Sequence, residues 1–142
     1  MEKEWAKNCM KKIENYLFHQ HNVEVEYGRG FSDCYFQGLS LIEINSCQNL
    51  TSRLHSLLHE AGHVLIRDTE IIGVPFHKSF PSMKLQGSFV RGNEKHRVDV
   101  LREEVLAWEQ GRNLATCLDI NIDEKIWARH RHDSLLSYAR WV

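Results

Sequence analysis

One segment near the middle of the chain restricts the fold more than any other feature. Asn49, Thr51 and Ser52 offer capping oxygens immediately before the residues RLHSLLHEAGHVLIR, so a helix is predicted to begin here. Apolar residues recur along one broad face of this helix, which predicts that it is buried: Leu54, Leu57, Leu58, Ala61, Val64 and Leu65. Two histidines and a glutamate therefore lie inside a helix that the apolar pattern places in the core.

The motif within this helix is His59-Glu60-Ala61-Gly62-His63. Residues four apart project from the same helix face, so His59 and His63 can bind one Zn²⁺ through nitrogens about 2.0–2.1 Å from the metal. The helix also places Glu60 beside the open coordination position, where its carboxylate can accept a proton from a metal-bound water. The spacing thus predicts two metal ligands and a catalytic base.

A catalytic zinc normally has three protein ligands, so a third is required. Position 69, where the short-spaced metzincin pattern has histidine, is Thr69, which excludes that class. The better candidate is Glu104, because it lies in the middle of a stripe with helical spacing that is otherwise apolar or small, and a buried carboxylate needs a cation. That stripe consists of Leu101, Glu104, Trp108, Gly111, Ala115 and Leu118.

Two alternatives to this choice remain open at this point. Glu103 is the rival ligand, although it shares its helix face with Asp99 and Gln110. Glu104 could instead pair with a surface arginine, for example Arg97 or Arg102. The small residues Ala107 and Gly111 would allow this helix to approach the histidine helix closely.

The rest of the sequence predicts an α+β domain. Trp5, Cys9, Ile13 and Tyr16 or Leu17 have helical spacing, which predicts an N-terminal helix over residues 3–20. Alternation from Val23 to Tyr27 and the runs CYFQ and LSLIEIN predict a small, mostly antiparallel sheet before the histidine helix. Further helices are predicted from about Lys95 to Leu118 and from Asp123, as its cap, to about Tyr138. Residues 73–93 contain both prolines and are expected to form a mobile lid.

Length and charge limit the class of protein. The 142 residues suit one domain, residues 1–142, and the net charge of −1 gives no attraction to nucleic acid or to an anionic membrane. No apolar run is long enough to span a bilayer and no secretion signal is recognised, so a cytoplasmic location is expected. The four cysteines form no C-x-x-C pair, and we expect reduced, mostly buried thiols.

Residues 40–115 resemble the gluzincin metallopeptidases, and most closely the ImmA/IrrE-like family of bacteria and phages. The resemblance rests on the strand LSLIEIN, the segment LLHEAGHVL and the pattern E-x-x-A-x-x-x-G of Glu104, Ala107 and Gly111. It implies a small zincin-like fold in which His59, His63 and Glu104 hold zinc and Glu60 is the base. It also implies that the strand before the helix pairs with an extended peptide.

The chain departs from this family in two respects. The family continues with Glu-Ala-Asn and a Phe-Ala pair after the ligand glutamate, and thermolysin-like gluzincins carry an aspartate one turn after it that supports a zinc-binding histidine. Here that position is Trp108, so the sequence assigns no supporting partner to the histidines. No helix-turn-helix segment is recognised, so a link to transcription would require a separately encoded regulatory protein as the partner or substrate.

Several other polar residues are candidates for secondary roles. Candidates for stabilising the oxyanion of peptide hydrolysis are His77, His96, Tyr27 and Tyr35, and the sequence does not choose among them. His55, one turn before His59, is interpreted as a capping or packing residue. The run from Arg129 to His132 is interpreted as a solvated helix face.

The function predicted from these features is hydrolysis of a peptide bond in a protein substrate by zinc-activated water, with Glu60 as the base. The first alternative is a catalytically silent zinc-binding or protein-interaction module on the same scaffold. The second is a structural or phage accessory protein in which the histidine motif is accidental.

Overall fold

The computed structural model describes residues 2–69 and 94–141, which form four helices and a three-stranded sheet. The helices are α1 (Glu2–His21), α2 (Leu50–Thr69), α3 (Glu94–Cys117) and α4 (Glu124–Trp141). The strands are β1 (Glu24–Gly28), β2 (Cys34–Phe36) and β3 (Leu41–Asn45), with one 3-10 turn at Gln37–Leu39. The α+β class and all four predicted helices are confirmed. The predicted lid at residues 73–93 lies outside the described residues.

The caps form as the sequence predicts. The Asn49 side-chain oxygen accepts a hydrogen bond from the backbone N–H of Ser52 at 2.9 Å, which satisfies one of the first donors of α2. Asp123 caps α4 by accepting from the backbone N–H groups of Lys125 and Ile126 at 3.0 and 3.3 Å. Both helices therefore begin where a short polar side chain replaces the missing helical partner.

The sheet is mixed, and the prediction of a mostly antiparallel sheet is wrong. Its strand order is β1-β3-β2, so β3 lies in the centre. The five-residue pairing of β1 with β3 is parallel, from Glu24 opposite Leu41 to Gly28 opposite Asn45. Only the three-residue pairing of β2 with β3 is antiparallel. The segment 29–40, which contains β2 and the 3-10 turn, provides the crossover that a parallel pair needs.

The central position of β3 also corrects the expected peptide-binding strand. Ile42 and Ile44, which lie on the same face of β3, are fully buried. Because β1 and β2 pair with the two sides of β3, the strand before the helix has no side left for a peptide. The edges of the described sheet are β1 and β2.

Helix α1 buries a different stripe from the one predicted. Cys9, Ile13 and Leu17 are buried as expected, but the stripe continues through Ala6 and Met10. Trp5, predicted to be in the core, is 42% exposed. All four cysteines are free thiols; Cys9 and Cys34 are buried, whereas Cys47 and Cys117 are exposed, so the prediction of mostly buried thiols is confirmed only for two. No helix in the described part of the chain is long and apolar enough to cross a membrane.

Helices α2 and α3 lie unusually close because each presents a glycine to the backbone of the other. A Cβ atom added at Gly62 would collide with the carbonyl oxygen of Ala107, and one added at Gly111 would collide with the carbonyl oxygen of Leu58. The close approach predicted from Ala107 and Gly111 is confirmed. The third participant, Gly62, lies inside the histidine motif itself. This contact brings the polar faces of the two helices together.

Candidate metal centre

Three of the buried ionisable side chains of α2 lie close together. His59, Glu60 and His63 are 7%, 1% and 1% exposed, respectively. One ligand atom from each lies within 4.8 Å of the others, so this group can hold a metal ion; it is the one group of this kind among residues 2–69 and 94–141. The ring centroids of the two histidines are 4.9 Å apart. The spacing of four residues therefore produces the arrangement predicted for it.

Helix α3 brings Glu104 to the same point. Glu104 is fully buried; its Oε1 lies 3.3 Å from Nε2 of His59 and its Oε2 lies 2.6 Å from Nε2 of His63. The charged groups that act on it are the imidazoles of His63 and His59. One carboxylate thus faces the outer nitrogens of both rings.

The atoms that converge here suit a cation. Both carboxylate oxygens of Glu104 and Nε2 of His59 are buried, and the angles of the short contacts between Glu104 and the two rings do not suit hydrogen bonds. Buried polar atoms without a hydrogen bond are rare, because each costs about 1–3 kcal/mol. A bound ion would satisfy all three at once. Two imidazoles and a carboxylate are ligands that borderline divalent ions accept.

Glu103, the rival ligand, has a different role. It is fully buried, and its Oε2 lies 2.7 Å from Nδ1 of His63 and 3.1 Å from Nη2 of Arg67. When Nδ1–H of His63 donates to this carboxylate, the proton is held there and the lone pair of Nε2 is directed at the metal position. Glu103 is therefore the supporting partner that the sequence did not assign. Arg67 was also missed, although it lies four residues after His63 on the same face of α2.

Trp108 supports the other histidine by stacking. Its ring lies parallel to that of His59, with centroids 4.4 Å apart and an interplanar angle of 13°. The residue that departs from the gluzincin pattern therefore restricts one imidazole through ring contact instead of a hydrogen bond. Nδ1 of the same imidazole lies 3.2 Å from Oε2 of Glu60.

The histidines and glutamates of this group shift each other's pKa values. Burial alone lowers the pKa of His59, but the carboxylates of Glu104 and Glu60 outweigh burial and raise the pKa to about 9. Burial raises the pKa of Glu104, but His63 and His59 reverse this and lower it well below the usual value. In the metal-free protein the imidazole of His59 is therefore protonated near pH 7, and a divalent ion that binds it would displace this proton.

A cavity of about 290 Å³ opens onto this group. Its lining includes His59, Glu60, Glu104 and Trp108 on one side and residues of α4 on the other, among them His130 and Asp133. Lysine and arginine are missing from the lining within the described chain. A substrate in this cavity would reach Glu60 and the metal position together.

Three of the predicted oxyanion candidates, Tyr27, Tyr35 and His96, do not line this cavity. The hydroxyl of Tyr27 donates to Glu14 at 2.7 Å, and the ring of Tyr35 lies beneath the guanidinium of Arg67 at 5.7 Å. His96, on α3, is not among the residues that line the cavity. His77 lies outside the described residues. Polar residues of α4 such as His130 and Asp133 do line the cavity, but the sequence did not identify them as site residues.

His130 is the clearest of these missed residues. In the run from Arg129 to His132, Arg129, Arg131 and His132 are exposed as predicted, but His130 is half-buried. Its Nδ1 lies 2.7 Å from Nδ1 of His55, which packs against the edge of Trp127. The packing role predicted for His55 is confirmed, and the solvated role predicted for His130 is wrong. Only the contact between α2 and α4 turns this side chain inward.

Comparison of the chain with protein-family models, curated proteins and solved structures finds no match. The resemblance to the ImmA/IrrE-like family therefore stays a prediction from the motifs.

Proposed function

We propose that this chain is a zinc-dependent metallopeptidase in which His59, His63 and Glu104 bind the metal and Glu60 is the catalytic base. The observation that carries the proposal is the position of Glu104, whose two oxygens lie 3.3 and 2.6 Å from Nε2 of His59 and His63. Three ligands of these types leave one coordination position for water, as in catalytic zinc sites. Glu60 lines the cavity beside them.

Each residue has a defined part in the proposed reaction. Bound zinc would lower the pKa of a coordinated water and polarise the substrate carbonyl. Glu60 accepts the proton of the attacking water and returns it to the leaving amine. Glu103 keeps His63 in the tautomer that binds metal, and Trp108 fixes the ring of His59.

The sheet edge next to the site suggests how a peptide would bind. Strand β2 pairs with β3 on one side and is an edge of the described sheet. Asp33, directly before β2, lines the cavity with Glu60. A peptide that adds to this edge by backbone hydrogen bonds would run past the metal position. We therefore assign peptide pairing to β2 in place of β3.

Two measurements test the proposal in order. Elemental analysis of purified protein should find one tightly bound zinc, lost in His59→Gln, His63→Gln and Glu104→Gln. The matched control is Glu109→Gln, because Glu109 is an exposed carboxylate on the same helix as Glu104. Full zinc retention in His63→Gln and Glu104→Gln would disprove the ligand assignment.

The second measurement addresses catalysis. Glu60→Gln should keep zinc, because glutamine is nearly isosteric, but should lose about 10²–10⁴-fold in the rate of cleavage of a peptide-library substrate. Zinc binding without any Glu60-dependent cleavage would favour the alternative function, a silent module on the same scaffold. Cleavage at the wild-type rate by Glu60→Gln would refute the mechanism.

A further inference from the structure

A second cavity, of about 860 Å³, adjoins the cavity at the candidate metal centre. The two cavities share three lining residues, Ser52, His55 and His130. The hydrogen bond between the Nδ1 atoms of His55 and His130, 2.7 Å long, therefore lies at the boundary between them. Helices α2 and α4 line both cavities, and the first residues of α1 complete the wall of the second one. The proposed function leaves the second cavity without a role.

The two cavities differ in charge. Within the described chain, every fully charged side chain that lines the first cavity is a carboxylate: Asp33, Glu60, Glu104 and Asp133. The second cavity is lined by four basic side chains, which outnumber its two carboxylates, Glu2 and Asp123: Lys3, Lys7, Arg53 and Arg129. A ligand that spans both cavities would therefore meet negative potential at the metal position and positive potential beyond His55 and His130.

The basic side chains of the second cavity keep their charge for a ligand. Three of them are exposed and form no ion pair within residues 2–69 and 94–141: Lys3, Lys7 and Arg129. Arg53 donates from Nη2 to the backbone carbonyl oxygens of Ser46 and Gln48 at 2.8 and 3.2 Å. These neutral acceptors fix its guanidinium without cancelling its charge. The carboxylate of Asp123, by contrast, is occupied as the cap of α4.

Trp5 adds an apolar surface to the same cavity. It is 42% exposed, and it lines the cavity together with the partly buried side chains of Ile122 and Ile126. A tryptophan offers a large flat contact area at a low cost in side-chain entropy. The second cavity therefore combines positive charge with a surface on which the apolar parts of peptide side chains can pack.

Spacing along α2 indicates how far this cavity lies from the metal position. Ser52 and Arg53 precede Glu60 by eight and seven residues, which is about 11–12 Å along the axis at a rise of roughly 1.5 Å per residue. An extended peptide covers that distance in about three to four residues. A peptide bound at the metal position would thus reach the second cavity from about its fourth residue onwards.

We propose that the second cavity binds an acidic segment of the peptide substrate, about four or more residues from the bond that is cleaved. The identity of this ligand rests on the proposed peptidase function. Carboxylates complement the charge of the second cavity, and the acidic lining of the first cavity disfavours them next to the metal position. This contact would hold the substrate in the register that brings the scissile bond to Glu60.

Fluorescence anisotropy tests binding without cleavage if Glu60→Gln is the parent protein. The probes are a labelled peptide with a run of glutamates at one end, the same peptide with the run at the other end, and a version with glutamine in place of each glutamate. An acidic peptide should bind at least about threefold tighter than the glutamine version. Lys7→Gln with Arg129→Gln should remove this difference, and Lys11→Gln with Lys125→Gln should keep it, because both of these control lysines are exposed outside the cavity.

The outcomes distinguish this inference from the proposed function. Equal binding of acidic and glutamine peptides, an equal loss in the control variant, or tighter binding of single-stranded DNA of similar length would overturn the acidic-peptide site. Mass spectrometry of a peptide library digested by otherwise wild-type protein should show Asp and Glu enriched on one side of the cleaved bond, and Lys7→Gln with Arg129→Gln should lose this enrichment. Glu60-dependent cleavage without enrichment would also overturn the inference and leave the peptidase intact. Charge-dependent binding without such cleavage would count against the peptidase alone.

Discussion

Glu103 and Glu104 are adjacent in the chain, yet they contact opposite nitrogens of the same ring. Oε2 of Glu103 lies 2.7 Å from Nδ1 of His63, and Oε2 of Glu104 lies 2.6 Å from Nε2. Consecutive helical residues diverge by about 100°, so the imidazole of His63 is inserted between the two carboxylates. One carboxylate thereby orients the ring, and the other lies where a metal would be held. Two acidic residues that look equivalent in the sequence therefore make different contacts.

This difference predicts unequal effects of two matched substitutions. Glu104→Gln should abolish stoichiometric zinc, because it removes a ligand charge. Glu103→Gln should keep one zinc but weaken its binding about 10–100-fold, because it weakens the hydrogen bond that orients His63. Competition with a chromophoric chelator would measure both affinities. Equal zinc affinity in Glu103→Gln and in the wild type would show that Glu103 has no supporting role.

Gly62 should be intolerant of even one added methyl group. A Cβ atom at this position meets the backbone of Ala107, which cannot move aside as a flexible side chain would. Gly62→Ala should therefore destabilise the fold by about 1–3 kcal/mol and weaken zinc binding, because it separates α2 from α3. Urea denaturation with and without zinc would measure this change. Gly38→Ala is the control, since nothing lies within 4 Å of a Cβ atom there.

The metal-free protein should lose stability as the pH rises. Glu104 and Glu60 raise the pKa of His59 from 6.5 to about 9 against the effect of burial. The native state then binds more protons than the unfolded state between these values, so this stabilisation is complete below pH 6.5 and is lost as the pH approaches 9. Urea denaturation in a chelator from pH 6.5 to 9 would test it. His59→Gln should flatten this slope, and an unchanged slope in that variant would contradict the assignment.

The burial of His55, with the charge of His130 as the smaller cause, lowers its pKa and predicts the opposite dependence at acidic pH. The folded-state pKa of His55 is lowered from 6.5 to about 4, so the native state binds fewer protons than the unfolded state in this window. Stability is therefore present above pH 6.5 and falls as the pH drops towards 4, by at most about 1.4 kcal/mol per pH unit. Denaturation curves of the metal-free protein would measure the slope. His55→Gln should reduce it, and His132→Gln should not.

Much of this protein follows from local sequence. The capping oxygens of Asn49 and Asp123 and the apolar periodicity determine where α2 and α4 begin, because these effects act within one or two helical turns. The spacing of His59 and His63 determines that their imidazoles share a face. The periodicity of α3 likewise identifies Glu104 as buried, since a helix turns by a fixed angle at each residue.

Only the tertiary structure determines which other helices and strands these helix faces contact. The position of β3 between β1 and β2 depends on a crossover, and strand alternation carries no information about which strands are neighbours. The roles of Glu103 and Arg67 require the packing distance between α2 and α3, which the glycine contacts set. His130 is turned inward by a residue 75 positions away in the chain. A sequence pattern reports the face of one helix, whereas a hydrogen bond between two helices depends on their separation and rotation.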